Sequence, residues 1–200
     1  LHTYTNIENA PSWDDRAFRT PIRRLLIVGL DGATFDVLNP LMAEGRMPRL
    51  KVAIAAGASG LLRSTVPPIT PAAWTTFLTG KNPGAHGIID FERYDVHTNK
   101  LAFNSTRCLD HVRNLWQILG DQGLKVGSVN VPMTYPPTPV NGFLVSGFET
   151  PGPESDFVYP PELKSAILER WPDPTLKAKW LRRTFGGDAV FRENLDYISR

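Results

Sequence analysis

Two residues occupy places where a chain can do chemistry. Asp31 directly follows the aliphatic run Leu25-Leu26-Ile27-Val28-Gly29-Leu30 and is itself followed by Gly32. An acid at the end of a buried strand has its carboxylate aimed by rigid backbone in a low-dielectric setting, which suits a metal ligand. The same Asp-Gly pair is equally an ordinary turn that caps the next helix. Thr70 stands just before Pro71, in a segment that closes at Gly80. A hydroxyl at a helix N-terminus meets unpaired N–H groups and the positive end of the dipole, which attract phosphate and stabilise a developing alkoxide. Threonine is a poor nucleophile at neutral pH unless a base or a metal activates it. Thr70 is therefore either a simple N-cap or, with a metal held by Asp31 that also takes its oxygen, an activated nucleophile.

The elements that would position these residues follow from periodicity and punctuation. The run 24–30 has the pattern of a buried central strand, closed by the Asp31-Gly32 turn. Helices are expected at 35–44, ended by Gly45, and at 48–56, with Pro48 in the first turn and Gly57 just beyond. A strand is expected at 60–65, stopped by Pro67-Pro68, and a short helix at 70–79 with Thr70 as its N-cap and Pro71 at its first position. Val112, Leu115, Trp116 and Leu119 recur at helical spacing and predict an amphipathic helix over 110–119. Strands follow at 125–131 and 142–146. Helical patterning then returns from Pro160-Pro161 through Trp171, resumes at 176–180 and again at 188–198. Alternating strands and helices argue an α/β architecture with a largely parallel sheet and helices on both faces, whose ligand site lies beyond the carboxyl ends of the strands.

Composition narrows the partners. In 200 residues, 42% are hydrophobic and 21% charged, as in ordinary globular proteins. With 22 Lys+Arg against 20 Asp+Glu the net charge is +2, and no concentrated basic face is visible, so there is no nucleic-acid footprint. The one cysteine, Cys108, excludes an internal disulfide framework and a Cys-rich zinc site. The longest aliphatic run is far short of the ~18 residues of a membrane span. Residues 1–22 are polar, without an apolar signal core; they read as an extension or linker before a domain over 23–200, and a cytoplasmic location is the expectation. Because the chain begins at Leu1 rather than Met, a piece of a longer protein is expected. Proline is abundant, 18 residues, and positions 132, 136, 137, 139, 151, 153, 160 and 161 crowd one loop-rich insertion over 132–161. That stretch is either a lid offering Tyr135 and Tyr159 as stacking surfaces or a structural crossing loop, the latter being preferred.

An ordered set of motifs carries a resemblance. Val28-Gly29-Leu30-Asp31-Gly32, Met47-Pro48-Arg49-Leu50, Ser64-Thr65-Val66-Pro67-Pro68-Ile69-Thr70-Pro71, Thr79-Gly80 and Pro83-Gly84-Ala85-His86-Gly87-Ile88 together resemble the N-terminal part of a type I phosphodiesterase/nucleotide pyrophosphatase of the alkaline phosphatase superfamily. The likeness continues more weakly through Asn130 to Pro136 and the strand at 142–146. The resemblance implies an alkaline-phosphatase-like α/β fold, incomplete in this chain, and hydrolysis or transfer of a phosphoryl group from a small phosphate-ester substrate. It implies that Asp31 ligates one of two divalent metals, usually zinc, with Mn or Mg as alternatives. It makes Thr70 the nucleophile, in contact with that metal, by way of a phosphothreonine intermediate. His86 matches a motif residue that is not a metal ligand and reads as a loop histidine satisfied by backbone hydrogen bonds, as do His97 and His111, which lack partners at ligand spacing.

Two departures from the family pattern matter. Nucleotide-hydrolysing members carry a phosphate-binding Asn where this chain has Phe91, beside Asp90, so either Asn82 or Asn104 replaces that donor or the substrate differs. No Asp-x-x-x-His or Asp-His pair follows Thr70, and the chain alone is expected to bind metal weakly and to be inactive. The alternative is a truncated or degenerate member that folds without catalysis and binds only phosphate or a partner. A dinucleotide site and a P-loop are disfavoured, because the glycine spacing and the Gly-Lys-Ser/Thr triplet are missing.

Overall fold

The structure is a computed structural model that describes residues 24–147 and 149–172. Two units divide the chain, Leu1–Thr34 and Phe35–Arg200. In the first, residues 24–30 have no regular structure, and a turn follows at Asp31-Gly32, with Gly32 at φ 68°. The strand expected at 24–30 is therefore not formed. Leu25, Leu26 and Val28 are exposed, and among the described residues no strand pairs with this run. Hydrophobicity alone makes no strand, because the ladder's hydrogen bonds and the cover on both faces must come from neighbours.

The second unit begins with helices α1 (Phe35–Ala43) and α2 (Pro48–Ala56), close to the expected bounds. The strand expected at 60–65 is absent for the same reason as the first, and Leu61 and Leu62 are exposed. Helix α3 (Thr70–Thr79) ends as its sequence requires, with Gly80 left-handed at φ 64° and its N–H donating to the Thr76 carbonyl. A one-turn helix, α4 (Pro83–His86), comes next, then an antiparallel hairpin of β1 (Glu92–Asp95) and β2 (Lys100–Phe103), none of which the periodicity marks. A 3-10 turn at Thr106–Leu109 precedes α5 (Leu115–Asp121). This helix starts five residues later than expected because Asn114 and Gln117 form a reciprocal capping box that fixes its first turn. Val112 instead packs with Cys108 against Ile88, Leu109 and Met133.

The main sheet has the order β3-β4-β5, built from Val126–Val131, Gly142–Ser146 and Val158–Tyr159. β3 and β4 run parallel, with Val126 opposite Gly142, whereas β4 and β5 are antiparallel. Among the described strands one pairing is parallel and two, β1–β2 and β4–β5, are antiparallel, so the expected largely parallel sheet is not established by them. Side-chain alternation on β4 shows why a central strand reads as continuously apolar. Leu144 joins Leu78 of α3, Trp116 of α5, Val126 and Val140 on one face. Val145, its neighbour, joins Phe157 and Val158 on the other, where Ile167 and Leu168 of α6 (Leu163–Arg170) pack. Helices consequently cover both faces of this sheet.

The proline-rich stretch 132–161 is not only loop: it contains β4 and β5 and buries Met133, Val140 and Phe157. Tyr159 packs at the edge of the Leu78–Trp116 core. Among the described residues no helix is long and apolar enough to cross a membrane. The helices expected at 176–180 and 188–198 lie outside the described residues.

Candidate active site

Thr70 is the first residue of α3 rather than its N-cap. Ile69, at φ −120° and ψ 156°, holds the cap position, and its carbonyl accepts the first helical bond, from Ala73 N at 3.0 Å. An isoleucine has no side-chain acceptor, so the cap makes no side-chain hydrogen bond and Pro71 offers no N–H. The start of α3 therefore presents backbone N–H groups and the positive dipole end, with the Thr70 hydroxyl among them. Thr70 is half-buried. The helix behind it is the most deeply set among the described helices: Pro71, Ala72, Thr75, Leu78 and Thr79 are buried.

Asp31 sits on its turn, where Ala33 N donates to the Leu30 carbonyl and Thr34 N to the Gly32 carbonyl. The turn at Asp31-Gly32 is formed, while the strand meant to present the carboxylate is absent. Asp31 belongs to the first unit and Thr70 to the second.

His86 is fully buried, and its partners go beyond the backbone bonds expected of it. Ile88 N–H donates to Nδ1 at 3.1 Å, which places the ring proton on Nε2, and Nε2 lies 3.0 Å from the Thr76 hydroxyl. The imidazole thereby fastens α4 to the middle of α3. Burial holds its pKa below the usual value near 6.5; the Ala72 carbonyl opposes this shift and the charge of His111 adds to it. His111 is exposed and lines, with His86, a cavity of about 470 Å³. His97 is exposed at the hairpin turn, its N–H donating to Asp95 Oδ1.

The two amides considered as replacements for the Asn absent at Phe91 are both engaged locally. Asn104 is buried, and its Nδ2 donates to the Asp90 carbonyl at 2.8 Å. Asn82 caps α4, its Oδ1 accepting from Ala85 N at 3.0 Å. Phe91 pairs through its backbone carbonyl with Asn104 N at 2.7 Å, extending the hairpin ladder by one step.

The fold and site define an α/β protein whose second unit presents a threonine hydroxyl at the start of a well-packed helix. The profile of the family described as type I phosphodiesterase / nucleotide pyrophosphatase matches residues 25–197, and the chain belongs to that family. Its members are phosphodiesterase- and pyrophosphatase-type hydrolases, generally metal-dependent. The chain matches no curated protein and no solved structure. Among the described residues no group of three or more His, Cys, Asp or Glu is arranged to hold a metal ion. A divalent ion needs several such donors, so the donors described do not complete a metal site by themselves.

Proposed function

We propose that the chain carries the nucleophile of a hydrolase that cleaves phosphodiester or related phosphate-ester bonds. Thr70 is that nucleophile, and Asp31 is one ligand of a divalent metal, with zinc the expected ion. The observation that supports this reading is the start of α3, where the Thr70 hydroxyl shares a helix N-terminus with backbone N–H groups that no side-chain cap consumes. Such a site attracts a phosphoryl group and favours negative charge on the attacking oxygen. In the reaction the Thr70 oxygen bonds to phosphorus and gives its proton to solvent. The bond to the leaving alcohol or phosphate breaks with its electron pair, leaving a phosphothreonine ester that water then hydrolyses. Phe91 cannot donate to the substrate phosphate, and Asn104 spends its Nδ2 on the Asp90 carbonyl. The reading therefore names phosphate esters, without commitment to nucleotides.

The test is to incubate the full-length protein with zinc, manganese or magnesium and a panel of phosphate mono- and diesters, then to map any phosphorylated residue by mass spectrometry. Phosphate on Thr70 after a diester pulse is the expected result. Phosphate on another residue overturns the assignment. A full-length protein that turns over none of the esters with any of the metals supports the alternative, a member that folds and binds phosphate or a partner without catalysis.

A further inference from the structure

We propose that the open cavity lined by α4, the β1–β2 hairpin and the 3-10 turn is a binding site for a small phosphorylated anion, separate from Thr70. Its volume, about 470 Å³, is that of a small-molecule site, and Thr70 is not among the residues that line it. The lining charge has one sign. Arg93, Arg107 and His111 contribute to the wall together with the polar Ser105, and no carboxylate does. In a chain whose acids nearly balance its bases, two guanidinium groups in one acid-free cavity form a local concentration of positive charge. Among the described residues neither Arg93 nor Arg107 is in an ion pair. The charge of Arg93 is felt at Asp95 as a minor influence, without an ion pair between them.

The hairpin and the turn bring these groups together. Glu92 lies opposite Phe103 and Arg93 opposite Ala102, so strand alternation puts Arg93 on the same face as Asn104. Asn104 anchors that edge through its N–H to the Phe91 carbonyl and its Nδ2 to the Asp90 carbonyl. Arg107 sits on the 3-10 turn, which Thr106 clamps to the chain beyond β3: its N–H donates to the Tyr135 carbonyl at 3.0 Å and its hydroxyl to the Pro136 carbonyl at 2.6 Å. Beneath the cavity Ile88, Leu109 and Met133 form one buried cluster. The site is thus preformed, and its Arg107 wall is fastened just past the carboxyl end of a parallel strand, where ligands of open α/β sheets bind. Guanidinium groups match phosphate oxygens in pairs and exceed an ammonium in doing so. An acid-free wall with two of them selects a phosphate dianion over a neutral ligand.

Cys108 lines the same cavity and is the chain's only cysteine, which supplies the readout. The experiment compares alkylation of the intact chain by iodoacetate and by iodoacetamide, with inorganic phosphate as the probe ligand. The expected results are an iodoacetate-to-iodoacetamide rate ratio several-fold above that of free cysteine, and slowing of both reactions by millimolar phosphate but not by chloride of equal ionic strength. Protection should persist in Thr70→Ala and disappear in the exposed double substitution Arg93→Gln/Arg107→Gln. Equal protection by chloride, or protection that survives the double substitution, overturns the site. Protection lost in Thr70→Ala also overturns it, because phosphate would then be acting at the catalytic threonine. No turnover enters the measurement, so failure of the Thr70 reading leaves this result interpretable on its own.

Discussion

The imidazole of His86 and the hydroxyl of Thr76 meet at 3.0 Å, joining the one-turn helix α4 to the long helix that begins at Thr70. His86 is fully buried and Nδ1 already accepts from Ile88 N, so the Nε2 proton depends on α3 for its partners. This bond locks the Gly80–Gly87 connection onto the helix that carries the candidate nucleophile. Replacing Thr76 by Val removes the hydroxyl while nearly keeping the shape. The expected cost is about 1–3 kcal/mol, the penalty for weakening the satisfaction of a buried polar group. Urea denaturation of the two proteins measures it; identical midpoints and slopes would show that the bond contributes nothing.

The same histidine makes stability depend on pH. Its folded pKa lies below the usual value near 6.5, chiefly through burial. As pH falls past about 6.5 the unfolded chain takes up a proton that the folded chain still refuses, so acid favours unfolding. The contribution is present above that pH and is lost as pH falls toward the folded value. Urea midpoints should therefore drop between neutral pH and mildly acidic pH, and His86→Gln should flatten the drop. A His86→Gln protein with the parent's pH profile would remove His86 from the cause.

Thr70 separates a nucleophile from a structural helix start. Because Ile69 occupies the cap, Thr70→Ala leaves the capping residue of α3 in place, and its effect is read in the rate. In a metal-supplied assay of a diester, kcat should fall by roughly 10³-fold or more, as losses of catalytic nucleophiles do. Thr70→Ser retains a hydroxyl and should keep part of the rate. Equal kcat for the Ala variant and the parent would sink the assignment.

Gly142 fixes the register of the parallel pair. It has φ 147°, and a Cβ there would lie 2.0 Å from the Val126 carbonyl oxygen of the neighbouring strand. Backbone cannot yield by that amount without breaking the Val126–Gly142 pairing. Gly142→Ala should cost about 3 kcal/mol or more through strain and lost pairing. Soluble yield and a denaturation curve test this, and a parent-like midpoint would contradict the close approach.

What was legible in the sequence had local causes. Helices α2 and α3 appear within a residue or so of expectation because proline fixes φ near their starts and glycine follows their ends, and α1, which carries Pro40 inside it, stops just before Gly45. β3 and β4 appear for a related reason: each is a short apolar run between turn residues, and each found partners. The turn at Asp31-Gly32 needed only its own two residues. The position of Thr70 missed by one, since sequence favours threonine as a cap while the chain placed Ile69 there.

What the tertiary structure alone decided required partners distant in sequence. The run 24–30 is as apolar as any strand in the chain, yet no strand is formed there, because a ladder needs a second backbone. The β1–β2 hairpin is exposed over most of its length, with β1 polar and Leu101 and Phe103 of β2 facing solvent, so alternation carried no signal for it. No spacing rule joins Arg93 to Arg107 or His86 to Thr76, because a hairpin, a 3-10 turn and a one-turn helix set those neighbours. The sequence determined the family and marked Thr70 as the residue proposed to act as nucleophile. Packing decided which helix position that residue took and which basic groups were gathered into one cavity. Local conformational preference is written residue by residue, whereas pairing and burial are properties of surfaces that exist only after folding.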